Sequence, residues 1–237
     1  MRQNVINIII PTYNEKNNIR PLIEKIVKLP TKNLEIIIVD DNSPDGTGKI
    51  ADEIASQYHQ LTVIHRQKKQ GLGRAYLDVF NKIIRKEIPA DFIITMDADF
   101  SHPIDKIPEI IEKLEQGHEL VVGSRYIPGG STQGWNFKRR FLSRNANQYA
   151  KVITGIPIND LTAGFVGYNV KTLKKIDLSQ IKSNGYAFQI EMKYQMIKAG
   201  ARFTEVPITF VDREQGKSKF NKSIFWEAVF IPWKLRL

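Results

Sequence analysis

The sequence predicts an α/β fold: a mostly parallel central sheet with helices on both faces. Two observations carry that expectation. Short apolar runs alternate with segments of helical periodicity through the first half of the chain, and such alternation marks a parallel sheet buried on both sides. Polar and acidic clusters stand directly after those runs. That places them at the carboxyl edge of the sheet, where open α/β sheets bind ligands.

The runs Ile6–Ile10, Glu35–Val39, Leu61–Ile64, Phe92–Met96 and Leu120–Gly123 read as strands. Helical spacing lies between them, over Lys16–Leu29, Thr47–Tyr58, Leu72–Lys86 and Ile104–Gln116. The order changes after Ser124. Arg125–Trp135, rich in Gly and Pro, reads as a loop, and Phe137–Val152 as a basic helix. Thr162–Asn169 and Phe203–Val211 read as strands, with a helix near Ala187–Ala199 between them. There is no repeat, low-complexity tract or linker, so residues 1–221 are expected to form one domain. Residues 222–237 are expected to form a terminal amphipathic, aromatic-rich helix.

A chain of 237 residues with 42% hydrophobic and 25% charged residues is ordinary for a globular protein with a substantial core. The start, MRQNVINIIIPTYNE, turns polar too soon for a signal peptide. No run reaches the ~20 apolar residues that span a bilayer. The absence of cysteine removes disulfide frameworks and thiolate metal sites and fits a cytoplasmic setting. The net charge of +10 is uneven. Residues 1–120 carry 16 Lys+Arg against 18 Asp+Glu, or −2; residues 121–237 carry 19 against 7, or +12. A basic half usually meets nucleic acid, a phosphorylated ligand or an anionic membrane surface; surplus solvated lysine is the plain alternative.

The central stretch is Asp91–Pro103, DFIITMDADFSHP. Asp97-Ala98-Asp99 follows a buried-strand pattern, and residues two apart in an extended segment project to one side. Such a pair suits Mg²⁺ or Mn²⁺, hard cations that take carboxylate oxygens and share them with substrate phosphates. The other reading is two solvated acids in a turn. The first strand ends in Pro11-Thr12-Tyr13-Asn14-Glu15, and the second in Asp40-Asp41-Asn42-Ser43. Carboxylates there are placed to accept from a base or a ribose hydroxyl. Asp45-Gly46-Thr47 reads better as a turn and helix start. Gly71-Leu72-Gly73-Arg74 is not a dinucleotide fingerprint, since Tyr76 stands at the third glycine. It serves either close backbone approach to a nucleotide or a helix-start turn.

P-T-Y-N-E, V-D-D-N-S-P-D-G-T, G-L-G-R-A, M-D-A-D-F-S-H-P, G-S-R-Y and V-D-R-x-x-G-K-S-K occur in that order across Asn4 to Phe220. Together they resemble the inverting, GT-A-type family 2 glycosyltransferases, and within them the dolichol-phosphate (polyprenol-phosphate) mannosyltransferases. The resemblance implies a Rossmann-like GT-A fold over 1–221 and transfer of mannose from GDP-mannose to a polyprenol phosphate. It also implies roles. Asp99 matches the acid that ligates Mg²⁺ or Mn²⁺ at the donor diphosphate, and Asp97 its partner near ribose and metal, with Ala98 between them. Ser101 stands where some relatives carry Gln beside the metal, and a serine is a weaker ligand. Pro11, Tyr13 and Glu15 match the nucleotide-lining loop, and Asp40 and Asp41 the acids near the base. Gly71 falls with the nucleotide-binding group. Arg125 matches a donor- or acceptor-phosphate arginine, and Arg139 and Ser143 the acceptor phosphate site. Arg213 and Lys219 match a basic loop over the diphosphates, with Gly216 for flexibility; a surface loop is the alternative. Asp160 lies in a stretch that lines the acceptor site in the subgroup, and Gln189 and Glu191 lie in a further subgroup segment.

Physical reasoning supports these roles. Two anionic phosphates must meet, and arginine offsets their repulsion and binds phosphate bidentately. Arg139 and Ser143 are i and i+4 on the expected helix and share a face, as do Arg140 and Arg144. The alternative is that these arginines only solubilise the helix. A phosphate acceptor is already an anionic nucleophile, so no general base is needed. His102, before Pro103, is expected to support its loop, and His59, His65 and His118 show no ligand spacing.

The stretch Ser223–Trp233, SIFWEAVFIPW, followed by Lys-Leu-Arg-Leu, is too short to span a bilayer. Trp226, Trp233 and the terminal basic residues suit the headgroup level, and Pro232 is expected to end or kink the helix. A cytoplasmic enzyme held peripherally on the cytoplasmic face of a membrane follows, alone or with a small membrane-protein partner. A helix packed on the domain is the alternative. UDP-glucose is a rival donor. Polysaccharide-forming relatives carry Q-x-x-R-W, absent here. A basic nucleic-acid-binding protein fits neither the acidic edge nor the apolar tail, so nucleic acid is not an expected partner.

Overall fold

The computed structural model describes residues 3–212 and 222–236. Among them, seven strands form one sheet, β1 (Ile6–Thr12), β2 (Leu34–Asp40), β3 (Leu61–His65), β4 (Phe92–Thr95), β5 (Leu120–Ser124), β7 (Val166–Asn169) and β8 (Phe203–Pro207). Their order is β3-β2-β1-β4-β7-β5-β8, parallel except for β7, which runs antiparallel between β4 and β5. Both faces are buried, as the β-branched runs require. Successive residues feed opposite cores. Ile8, Ile10, Ile36, Ile38 and Ile94 pack on one side, and Ile9, Ile37, Val39, Ile93 and Val122 on the other.

Helices α1 (Ile19–Ile26), α2 (Thr47–Ala55) and α4 (Ile107–Glu115) cover the first side. Helix α3 (Leu72–Ile84), the short α6 (Val170–Leu173) and α7 (Gly185–Lys198) cover the second, with the end of α5 (Phe137–Thr154). The chain moves from β1 outward to β3, then returns to place β4 on the other side of β1. The sheet order therefore reverses between β1 and β4, and the crevice at the carboxyl ends of those two strands is where such folds bind ligands.

Three expected elements differ. Thr162–Asn169 is strand only from Val166, because residues 160–164 are held by side chains from α5 and α7 rather than by a ladder. Phe203–Val211 breaks at Ile208. Its second part, β9 (Thr209–Val211), leaves the main sheet and pairs with β6 (Ser131–Gln133), inside the stretch read as a loop. The terminal helix α8 (Lys222–Arg236) runs on through Pro232 instead of ending there. It packs against α5: Tyr149 Oη donates to the Val229 carbonyl (2.8 Å), Trp233 Nε1 donates to Tyr149 Oη (2.8 Å), and Arg236 donates to the Ile153 carbonyl (3.0 Å). Phe230 and Trp233 nonetheless stay 63% and 52% exposed. No helix among the described residues is long and apolar enough to cross a membrane.

Candidate active site

The acidic turn begins where β4 ends at Thr95, so Asp97 and Asp99 sit in a bend and not in an extended strand. What groups them is the turn itself. Phe100 takes a left-handed conformation (φ 60), rare for a bulky residue and typical of functional loops. Asp99 Oδ1 then accepts from the Ser101 amide (3.1 Å) and the Ser101 hydroxyl (2.6 Å). The Asp97 amide donates to His102 Nδ1 (3.0 Å), and the imidazole stacks on Phe165 at 5.3 Å. His102 supports the loop, as expected. Tyr76 Oη donates to the Met96 carbonyl (3.3 Å). Burial, the charge of Asp97 and, more weakly, that of Asp99 push the Tyr76 hydroxyl well above its ordinary range.

The donor set fits a hard divalent cation. It offers two carboxylates on one turn, and among the described residues no group of three acidic, imidazole or thiol side chains is placed to hold a metal. Mg²⁺ and Mn²⁺ sites commonly use one or two carboxylates and leave positions for phosphate oxygens and water. Ser101, expected as a ligand, donates to Asp99 instead and orients that carboxylate.

The loops after β1 and β2 are bound together beside this turn. The Asn14 amide donates to Ser43 Oγ, the Glu15 amide to Thr47 Oγ1, and the Lys16 amide to Asp45. Burial raises the Asp45 carboxyl, but hydrogen bonds from Thr47 and Lys16 outweigh it and hold the group below its usual value. This is the turn and helix start read from the sequence. Tyr13 lies beneath Lys69, whose Nζ is 3.6 Å from the ring centroid. Pro11 closes the strand at Thr12's side, paired with Val39.

Asp40 and Asp41, expected at a base, are turned into the protein. Asp40 accepts from Thr12 Oγ1 (3.2 Å), Ser43 Oγ (2.5 Å) and the Ser43 amide (3.1 Å). Asp41 accepts from Arg66 (2.6 Å) and from the amides of Gln70 and Gly71. Both residues are 4% exposed and shape the loops that wall the crevice. Gly71 (φ +92) is the N-cap of α3, and a Cβ there would meet Asn184 Oδ1 at 3.3 Å. A Cβ on Gly73 would lie 2.8 Å from the Ser183 carbonyl. These glycines serve a helix start packed against the 183–184 loop.

Across the crevice, β5 delivers Arg125, which is 7% exposed. Asp160, fully buried, accepts from the Arg125 amide (3.0 Å), Nε (2.7 Å) and Nη2 (2.6 Å). Burial opposes both charges, but each partner overrides it, keeping Arg125 protonated and the Asp160 carboxyl below its ordinary value. Arg125 and Asp160, expected on phosphate and acceptor, hold each other here and fix the 160–164 loop. Nη2 also donates to Thr162 Oγ1 (2.8 Å).

Helix α5 begins at Asn136, whose side chain caps the Arg139 amide. Arg139 pairs with Asp212 (2.7 Å) and lies 4.2 Å over the Trp135 ring. Ser143 Oγ accepts from Tyr126 Oη (2.7 Å). The shared face expected for Arg139 and Ser143 is present and turned to the loop after β5. It extends one more turn to Asn147, whose amide group donates to Thr162 Oγ1 and whose oxygen accepts from the Thr162 amide, both at 3.0 Å. Sequence reasoning missed Asn147, though its i+4 spacing from Ser143 was available. It also missed Trp135 and Glu205. Arg125 and Arg139 both lie over Trp135, and Glu205 accepts from the Asn159 and Asp160 amides. Of the subgroup segment, Gln189 and Glu191 are buried, and Glu191 is bonded to Ser183. Arg213, Gly216 and Lys219 lie outside the described residues, as does the side chain of Trp226.

Comparison with known proteins gives the family and the fold. The family model described as Glycosyl transferase family 2 matches residues 7–177. The chain is 42% identical over 232 residues to the polyprenol monophosphomannose synthase of Mycolicibacterium smegmatis, covering 97% of this chain and 86% of that protein. It is 40% identical over 221 residues to the undecaprenyl-phosphate mannosyltransferase of Micrococcus luteus, covering 93% and 89%. In fold it is similar to glucosyl-3-phosphoglycerate synthase of Mycobacterium tuberculosis, solved with Mn²⁺, UDP and glucosyl-3-phosphoglycerate, at TM-score 0.68 and 17% identity over 98% of this chain and 80% of that one. The Mg²⁺ and UDP complex of the same enzyme gives a TM-score of 0.69 at 15% identity, covering 98% and 79%. The fold is the Rossmann-like GT-A fold, and the chain belongs to glycosyl transferase family 2.

Proposed function

We propose that this enzyme transfers mannose from GDP-mannose to a polyprenyl phosphate, with inversion at the anomeric carbon. The observation that carries the reading is that the 160–164 loop joins two sites. On one side lies the acidic turn of Asp97 and Asp99, and on the other the face of α5 that bears Arg139 and Ser143. A phosphate acceptor is the nucleophile that fits this arrangement: it is already anionic, and among the described residues the imidazole nearest the acidic turn is engaged by that turn's own backbone. His102 Nδ1 already accepts from the Asp97 amide.

The nucleotide lies against Pro11, Tyr13 and Glu15. Asp99, oriented by Ser101, and Asp97 would hold Mg²⁺ or Mn²⁺. The bound cation supplies positive charge that offsets the departing diphosphate. Arg139 exchanges Asp212 for the acceptor phosphate, steered by the cationic half of the chain. Arg125 keeps the Asp160–Thr162 turn and Trp135 in place behind it. Arg213 and Lys219 add charge toward the diphosphate. A phosphate oxygen attacks the anomeric carbon from the face opposite GDP, and the sugar–diphosphate bond breaks.

The acceptor arrives in a membrane, and two helices present a surface suited to one. The first turns of α5 expose Phe137 (75%), Phe141 (60%) and Leu142 (62%) beside exposed Lys138, Arg140 and Arg144. Residues 222–237, proposed as a membrane-surface helix, add Phe230, Trp233, Lys234 and Arg236. Apolar side chains flanked by basic ones bind the interface of anionic bilayers, here on the cytoplasmic face. The test is a donor screen with GDP- and UDP-sugars on phytanyl or dolichyl phosphate in anionic liposomes. Mannosyl lipid formed from GDP-mannose supports the reading. Turnover only with UDP-glucose, or none with any lipid phosphate, overturns it.

A further inference from the structure

Helix α7 carries a lysine that touches neither the acidic turn nor the face of α5. Lys193 is fully buried, which is rare for lysine unless it is paired. Its Nζ donates to the carbonyls of Leu161 (3.1 Å), Ala163 (2.7 Å) and Gln189 (3.3 Å). An ammonium has three donors, and three carbonyls meet them. Two of these bracket Thr162, which Asn147 of α5 and Arg125 hold from their side. The next residue after Ala163 is Gly164. Its carbonyl accepts from Thr95 Oγ1 (2.8 Å), and a Cβ built on it would lie 3.4 Å from His102 Cε1 and 3.9 Å from Asp97 Oδ1. The loop therefore touches the acidic turn at one end and α5 at the other, and Lys193 pulls on its middle.

We infer that Lys193 is a positioning residue whose ammonium draws the Leu161 and Ala163 carbonyls onto α7 and so sets the spacing between the acidic turn and the acceptor helix. The inference rests on the proposed function only for what that spacing serves. The charges facing Lys193 come from three elements: Asp160 and Glu205 favour the ammonium, and Arg125 opposes it. Burial pulls the amine down to about 7, against which the two carboxylates work. A neutral amine keeps two N–H groups for three carbonyls, so the full grip belongs to the charged form.

The experiment is Lys193→Met in the full chain, read three ways: hydrogen exchange of the 161–164 amides, GDP binding with Mn²⁺ by calorimetry, and transfer kinetics from GDP-mannose to phytanyl phosphate. Expected are faster exchange at 161–164, a GDP Kd within about twofold of wild type, and kcat per folded molecule lower by roughly 10–100-fold, the scale of a 1 Å misplacement. Unchanged exchange overturns the inference whatever the activity. So does a wild-type kcat accompanied only by a lower Tm. If the wild-type protein transfers no sugar but the variant still opens 161–164, the transferase reading fails and the grip of Lys193 on the loop stands. Should Lys193→Met not fold, Lys193→Gln, with two N–H donors on a shorter stem, carries the same test.

Discussion

Replacing Asp160 with Asn should destabilise the protein by about 3–5 kcal/mol, the cost of removing one partner from a buried ion pair. The substitution is nearly isosteric, so packing changes little. The electrostatics change fully. Asp160 is 0% exposed and takes three hydrogen bonds from Arg125, at 2.6, 2.7 and 3.0 Å. A carboxamide keeps one acceptor oxygen, turns an NH₂ toward an N–H donor, and leaves a buried guanidinium without its counter-charge. At about 2–4 °C per kcal/mol for a chain of this size, Tm falls by roughly 6–20 °C. Urea and thermal unfolding followed by circular dichroism measure the loss. Adding Arg125→Met to Asp160→Asn should recover more than about 1 kcal/mol, since the orphaned charge is then gone. The folded Asp160 carboxyl lies below its ordinary value: burial raises it, and Arg125 lowers it more. Its contribution is therefore whole above about pH 4, the unfolded carboxyl value, and disappears as pH falls through the lower folded one. The acid limb of the stability profile should flatten in Asp160→Asn. A loss under about 1 kcal/mol, the value of an exposed pair, or strictly additive single and double variants, would refute the reasoning.

Ser101→Ala removes the shorter of the two hydrogen bonds that orient Asp99, leaving the amide of residue 101, and should raise the Mg²⁺ or Mn²⁺ concentration for half-maximal binding by about 10-fold, the low end of the usual effect of losing a ligand's supporting hydrogen bond; titration by calorimetry checks it. Asp99→Asn should abolish sugar transfer while leaving the circular dichroism spectrum and Tm near wild type, measured on the same preparation. Gly73→Ala places a Cβ 2.8 Å from the Ser183 carbonyl and should cost about 1–3 kcal/mol in urea unfolding, as overpacking does. Phe141→Glu puts a charge on the exposed apolar face of α5 and should weaken flotation with anionic liposomes several-fold without lowering Tm, since that side chain is 60% exposed.

The strands of the first half were legible because each is a local pattern whose partners follow from the topology rules of parallel sheets. The Ile-rich runs of β1 and β2, with Ile9 and Ile10 facing opposite cores, could not be read otherwise. The second half was less legible because its order depends on distant partners. Nothing near Val166 announces that it will run antiparallel between β4 and β5. Ile208 carries no local signal that the strand will leave one sheet for another.

The strand-end acids show the same division inside the site. Residue type and position put Asp40, Asp41 and Asp160 among the expected ligand contacts, and in the fold each accepts from donors of the protein itself. Asp40 is taken up by Ser43, three residues away. Asp41 is taken by Arg66 and Asp160 by Arg125, separated by 25 and 35 positions. Which donors of the fold reach a charge at the edge of a sheet depends on residues 25 or 35 positions away, and that is a property of tertiary structure. The helix stripe escaped this limit because it is local. Arg139, Ser143 and Asn147 recur every four residues, so one periodicity places all three on the face that meets Trp135, Tyr126 and Thr162. The stripe runs one turn further than Ser143, to Asn147, but that it meets Thr162, 15 positions on, follows from the fold and not from the spacing.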